Sequence, residues 1–331
     1  MQHAVSGPAV AAPDPGPPLR AIARIVDAWS LDIICNLLRF FGGDTRLTAI
    51  GLFIRIANTA HLFDSPALAA AYRHGLVAPR DCRPVKIAAI VAALGFDMQT
   101  VRRKIADLHA AGGCLVDDDG VILLIPEHDI AASAGHPGGL AAQLALLVAQ
   151  LRALVLENGY DPAAIAELRA ALDHDFDRLA QSETLAGLIV CQYLARTMLS
   201  GSLIFGSDRE SAVIYFTIYV ESGRSLAQDP QLSRADAWID SDLPAGGRQS
   251  VTVRAIARRI GLPAESVRRK VNRLIDRGLI ERMDDGVAAV RTRNVVPVHA
   301  PRAYASLLST LATVRRITRA ETGAHAVAPA A

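Results

Sequence analysis

Forty residues of this chain occur twice. Val85–Leu124 aligns without a gap on Val251–Val290 at a constant shift of 166, with fourteen identities. These include Val101-Arg102-Arg103-Lys104 against Val267-Arg268-Arg269-Lys270, Gly95 against Gly261, Gly112 against Gly278, and Asp118-Asp119-Gly120 against Asp284-Asp285-Gly286. A repeat restricts the fold more than any local propensity, because both copies must adopt one supersecondary unit. A weaker match precedes it: Phe41-Gly42-Gly43-Asp44 resembles Phe205-Gly206-Ser207-Asp208, and Ile50 and Ile54 meet Ile214 and Ile218. The shift there is 164, so a two-residue length change belongs in the following loop.

The second copy shows what the unit is. Val253, Ile256, Ala257 and Ile260 share one side of a short helix, and Gly261 suits the left-handed residue that ends it. Pro263 fits the first turn of a second helix, where its missing N–H costs nothing. Val267, Val271 and Leu274 at i, i+4 and i+7 form an inner face, which turns Arg268, Arg269, Asn272 and Arg273 outward. Gly278 closes that helix, Leu279-Ile280 begins a strand, and Asp284-Asp285-Gly286 is a hairpin turn leading to Val287–Val290.

Each unit is expected to run helix, helix, loop, repeated module and closing helix. The expected segments are a disordered tail over 1–19, helices over 20–82, a module over 83–127 and a connector over 128–183. Helices over 184–248, a module over 249–293, a closing helix over 294–321 and a tail over 322–331 complete the chain. Asp44 reads as a helix N-cap, the closing helices fall near 138–158 and 301–320, and a linker helix over Asp161–Ala180 starts at Asp161-Pro162. The fold class is mainly α, with an internal pseudo-two-fold.

The run Ser266-Val267-Arg268-Arg269-Lys270-Val271, then Leu274, Arg277-Gly278-Leu279-Ile280 and the turn glycine Gly286, resembles the winged helix-turn-helix of bacterial transcription regulators. The resemblance covers 249–293 and, by the repeat, 83–127. It implies double-stranded DNA as partner, with the second helix of the module in the major groove. Arginine matters there because its planar fork bonds a guanine's two acceptors, whereas lysine mostly holds phosphate. The reading candidates are Glu265, Ser266, Arg268 and Arg269 in copy two, and Gln99, Thr100, Arg102 and Arg103 in copy one. Ser266 or Thr100 instead bonds phosphate in an alternative reading. Lys270, Lys104, Arg254, Arg258, Arg273, Arg291 and Arg293 complete the candidate surface.

Charge separates the copies. Residues 249–293 carry eleven basic and five acidic groups, a balance of +6, which suits counterion release from DNA. Residues 83–127 carry five basic and six acidic groups, and their wing tip is Asp117-Asp118-Asp119. The first copy therefore reads either as a second DNA contact or as a module kept for packing. The whole chain is only +2, so any basic surface is local.

These features point to a sequence-specific transcription regulator, a fused pseudo-dimer whose C-terminal module dominates. Further homodimerisation is compatible with this, and a protein-interaction scaffold or a tandem winged-helix replication initiator are the alternatives. Cys35, Cys82, Cys114 and Cys191 lack metal or redox spacing and read as buried apolar residues. Asp173-His174-Asp175 with Asp177 has metal-ligand residue types but poor convergence on a helix. Tyr193, Tyr215, Phe216 and Tyr219 read as core or as the lining of a small-molecule effector pocket. No catalytic triad, phosphate loop or cofactor motif is present, so neither an enzyme nor a cofactor is expected. No signal peptide and no uninterrupted bilayer-spanning run is read, which predicts a cytoplasmic, nucleoid-associated protein.

Overall fold

The computed structural model describes residues 17–65, 72, 77–125, 139–157, 160–173, 176, 182–206, 208–228, 249–290 and 295–326. Most of the expected N-terminal tail, residues 1–16, falls outside them.

The molecule is mainly helical, with two small hairpins among the described residues. The first half holds α1 (Leu19–Phe40), α2 (Thr45–Thr59), α3 (Ile87–Leu94), α4 (Met98–Ala110), β1 (Cys114–Val116), β2 (Val121–Leu123) and α5 (Gly139–Glu157). A short α6 (Ala166–Leu172) follows. The second half holds α7 (Glu183–Phe205), α8 (Arg209–Ser222), the short α9 (Arg224–Gln228), α10 (Val253–Ile260), α11 (Ala264–Asp276), β3 (Ile280–Met283), β4 (Gly286–Ala289) and α12 (Val296–Ala326).

Three boundaries differ from the sequence reading. The linker helix starts at Ala166 rather than at Asp161, because the Asp161 carboxylate accepts from the Ala163 amide and forms a turn instead of a helix start. It runs to Leu172, and residues 174–175 and 177–180 of the expected span lie outside the described residues. The closing helix α12 begins at Val296 and carries Pro301 within it, and it runs through the expected tail to Ala326. Pro263 is the N-cap of α11 rather than a residue of its first turn.

The central core is a ring of long helices in which α1 and α7 each pack against both α5 and α12. Trp29 of α1 meets Tyr193 of α7 at its middle, with ring centroids 5.4 Å apart, and the Trp29 indole donates to the Gln143 carbonyl of α5 at 2.9 Å. Glu183 at the start of α7 accepts from the Leu140 and Ala141 amides of α5, satisfying two first-turn donors of that helix. Among the described residues one helix is apolar enough over Gly139–Leu156 to cross a membrane by length and composition. It is α5, which buries Leu144, Leu147, Val148, Leu151 and Leu154 in this core.

α1 buries two faces at once. Ile22, Val26, Trp29, Ile33 and Leu37 enter the central core, while Leu31, Cys35 and Leu38 enter a separate core with the residue 251–289 module. All four cysteines are buried and reduced. The second helix of each half seats its own module. Ala49, Ile50 and Ile54 of α2 pack with Ile90, Val101, Ile105 and Leu108, and Ile214, Tyr215 and Ile218 of α8 with Ile256, Val267, Val271 and Leu274.

The two modules share their dimensions. α3 and α10 have 8 residues, α4 and α11 have 13, and Gly95 and Gly261 end the first helices at φ +68° and +72°. An extra bridge adds a third short strand to each hairpin, Val85↔Val121 and Val251↔Val287. That strand crosses so close to the turn glycine that a Cβ on Gly120 or Gly286 would lie 2.6 Å from the Val85 or Val251 carbonyl oxygen.

Candidate nucleic-acid interface

The outward surface of the second module follows from its inward one. Thr252 caps α10 by accepting from the Ala255 amide at 3.1 Å, and Ile256, Ala257 and Ile260 are buried. Gly261 then turns the chain, its amide bonding the Ala257 carbonyl at 2.9 Å. In α11, Val267, Val271 and Leu274 are at most 1% exposed, which commits Arg268, Arg269 and Arg273 to solvent. Arg254 and Arg258 on α10 are exposed as well, and Ser266 is half-buried.

Within this set, Arg268 grips Glu265 with both Nε and Nη2 at 2.9 Å. That pairing holds the Glu265 carboxyl below its usual range and raises the Arg268 guanidinium. Both side chains lie in solvent, so the pair is weak and exchangeable for an incoming acceptor. Arg269 reaches Ser266 Oγ only at 3.5 Å, the outer limit of a hydrogen bond. Arg291 and Arg293 lie outside the described residues.

Lys270 does not join the outward face. Its ammonium turns back to α8, 2.5 Å from Asp208 and 3.7 Å from Glu210. Lys104 does the same in the first module, 2.6 Å from Asp44 and 3.7 Å from Asp107. Asp44 and Asp208 are also the N-caps of α2 and α8. Burial pushes both carboxyls up, but the lysine and the capped amides outweigh it and hold them below the usual range. The two lysines therefore clamp their modules to the core.

The first module keeps the outward arginines but changes what surrounds them. Gln99, Arg102 and Arg103 are exposed along α4 and border an open cleft with Asp97 and Ala106. Thr100 is only 9% exposed; its amide donates to the Asp97 carboxylate at 2.7 Å. Asp97 stands where the second module has Pro263, so a carboxylate caps the start of α4 where a proline begins α11. At the wing, the Asp117 carboxylate accepts from the Asp119 and Gly120 amides at 2.9 Å, and Lys86 donates to the Asp118 carbonyl at 2.6 Å. Leu115 and Val116 on β1 are 44% and 42% exposed. Glu281 and Arg282 take their places in the second module, and Arg282 donates there to Asn272 at 2.8 Å.

Sequence reasoning missed the residues that orient the modules. Asn58, fully buried on α2, donates to the Arg83 and Val121 carbonyls at 2.7 and 2.9 Å and accepts from the Leu123 amide at 2.9 Å. Ser222 holds the same place on α8, accepting from the Ala289 amide at 3.3 Å. Each module's helix-helix turn also meets the opposite half. Arg39 donates to the Arg259 carbonyl at 3.1 Å, and Arg259 pairs with Asp32 and Glu221 at 2.7 and 2.8 Å. Arg209 donates to the Leu94 carbonyl at 3.1 Å and lies over the Phe96 ring. Arg277 covers the Phe205 ring and donates to the Ile204 carbonyl at 3.1 Å. The +6 balance of the second module thus overstates its free positive charge, since acids of α1 and α8 neutralise Arg259 and Lys270.

The other constellations are less developed. Of the acidic and histidine cluster near α6, only Asp173 is described, and no group of three metal-ligating side chains occurs among the described residues. Tyr193 and Tyr215 are core residues at 1% exposure, their hydroxyls pushed above the usual range by burial, while Phe216 borders a cavity.

No curated protein and no solved structure matches the chain. Residues 244–288, which take in α10, α11, β3 and most of β4, match the MarR family model, so the second module is similar to the winged helix of that regulator family.

Proposed function

We propose that this protein is a sequence-specific, double-stranded-DNA-binding transcription regulator. Two winged-helix modules duplicated within one chain act as a fused pseudo-dimer, and the C-terminal module dominates. The observation that carries this reading is the outward face of α11, where Arg268, Arg269 and Arg273 stand in solvent with Arg254 and Arg258 of α10 nearby in sequence. The similarity of residues 244–288 to the MarR family supports it, since members of that family are DNA-binding regulators rather than enzymes.

Duplication draws support from matched side-chain devices that tie each repeated module to residues outside it. The Asp44–Lys104 and Asp208–Lys270 pairs correspond, as do the Asn58 and Ser222 anchors. The helix contacts also interchange: α1 with α12 and α8 answers α7 with α5 and α2. Such a frame presents two unequal heads, which favours an asymmetric site over a palindrome.

A salt-dependent titration on genomic fragments tests the proposal. Arg268→Ala with Arg269→Ala removes sequence preference, whereas Arg291→Ala or Arg293→Ala weakens all sequences similarly. Specific binding that survives the double substitution refutes the groove-reading assignment. A second reading, a protein-docking role for the first module, is favoured by Asp97, the Asp117–Asp119 wing and exposed Leu115 and Val116. A co-purifying partner, together with salt-sensitive DNA affinity that Arg102→Ala with Arg103→Ala leaves unchanged, selects it.

A further inference from the structure

The three basic residues of the Arg268-Arg269-Lys270 run differ in what stands one turn before them. Lys270 follows Val267 and turns back to Asp208. Arg269 follows Ser266, whose neutral hydroxyl it reaches only at 3.5 Å. Arg268 follows Glu265, and a fork of two bonds joins them, Nε to Oε2 and Nη2 to Oε1, each 2.9 Å. Both side chains stay open to solvent, at 61% and 62% exposure. The first module lacks this fork. Gln99 and Arg102 hold the equivalent positions, both are exposed, and no hydrogen bond joins them among the described residues.

A guanidinium is planar and presents its N–H groups along two edges. The fork with Glu265 occupies the side edge, Nε and Nη2, and leaves the end edge, Nη1 and Nη2, with an N–H on each nitrogen. That end edge is a matched pair of donors for the O6 and N7 acceptors of one guanine. Arg268 can therefore take a base without giving up its carboxylate. In bulk water the fork is weak, and exclusion of water in a groove strengthens it. A long side chain already held in one orientation also loses less freedom when it binds.

We propose that Glu265 is a positioning residue: it fixes Arg268 by the side edge and aims the end edge at one guanine in the major groove. The proposal rests on the reading of α11 as the groove-entering helix. It gives the acid a measurable signature. A carboxylate on the outward face of a basic helix repels phosphate and weakens binding to DNA of any sequence. What it adds is discrimination at a single G·C pair. Removing Glu265 therefore moves the two quantities in opposite directions, whereas damage to α11 lowers both.

The test uses duplexes that the full chain selects from a randomised library, together with every single-base-pair change in them. Arg268→Ala marks the pair that Arg268 reads, expected to be G·C, by flattening the preference there. Glu265→Ala is expected to lose about tenfold of discrimination at that same pair. Glu265→Gln, whose single carbonyl oxygen cannot complete the fork, loses less. Affinity of both for unrelated duplex holds or rises, and thermal unfolding checks the fold. Unchanged discrimination in Glu265→Ala overturns the proposal and leaves the groove reading intact. Flattening at a different pair also overturns it, because Glu265 then reads a base itself. If Arg268→Ala flattens no pair, the groove reading falls and the proposal with it.

Discussion

Asn58→Ala probes how the first module is fixed to the core. The side chain is fully buried and ties α2 to three backbone groups of the module. Truncation has unequal consequences for them. The Val121 carbonyl keeps its bond from the Val85 amide, and the Arg83 carbonyl belongs to an exposed residue that water can reach. The Leu123 amide is left without an acceptor on a strand that is buried throughout. One stranded buried donor costs about 1–3 kcal/mol, and the two weakened acceptors with the small void add roughly 1 kcal/mol. We expect about 3 kcal/mol in all. Ser222→Ala removes one longer bond and is expected to cost about 1 kcal/mol. Hydrogen exchange reads the effect locally: 3 kcal/mol corresponds to about two decades of lost protection at Val85, Val121 and Leu123. The β3–β4 amides keep theirs, and urea denaturation gives the global change. A loss smaller than that of Ser222→Ala, or one spread evenly over both modules, refutes the reasoning.

Three further outcomes follow from the same contacts. Gly42→Ala and Gly43→Ala both place a side chain at positive φ, at a strain of about 1–2 kcal/mol. Only at Gly43 would the Cβ also lie 2.9 Å from the Gly261 carbonyl oxygen, so its urea midpoint should fall further, by about 1 kcal/mol more. Lys270→Ala lowers stability by about 1 kcal/mol and leaves the salt slope of DNA binding unchanged, while Arg269→Ala lowers that slope by about 1. Burial alone would lower the His299 pKa, but the Asp27 carboxylate overcomes it and the folded value lies above 6.5. Its contribution is therefore full below pH 6.5 and is lost as pH rises through the folded value. Urea midpoints from pH 6 to 9 should fall in that window, and His299→Gln should flatten the profile.

The repeat made the modules legible because glycine and apolar spacing record local geometry. Gly95, Gly261, Val101 and Val267 do in the structure what their positions require of a helix-turn-helix. Side-chain direction was less legible. Arg268, Arg269 and Lys270 are consecutive, yet a long lysine bends inward when an acid lies across the groove, and the Arg-Arg-Lys run does not contain that acid. The signal was there at a distance: Asp44 and Lys104 recur together as Asp208 and Lys270. The exchange of Asp97 for Pro263 was also visible, but its meaning depends on the helix beginning one residue later. Contacts between the halves, such as Arg39 and Arg259 or Arg209 and Leu94, leave no local periodicity at all. The second buried face of α1, Leu31, Cys35 and Leu38, acquires a reason only from the module that covers it.

The unequal heads are tested most directly on one DNA fragment with two matched double variants. Arg268→Ala with Arg269→Ala disables the second module, and Arg102→Ala with Arg103→Ala makes the same change in the first. At about 1–3 kcal/mol per base-reading arginine, the first variant should lose roughly thirtyfold or more in specific affinity and fall to the level of competitor DNA. The second should stay within about threefold of the unsubstituted protein. Equal losses in the two variants, or a larger loss from the Arg102 and Arg103 pair, contradict the account.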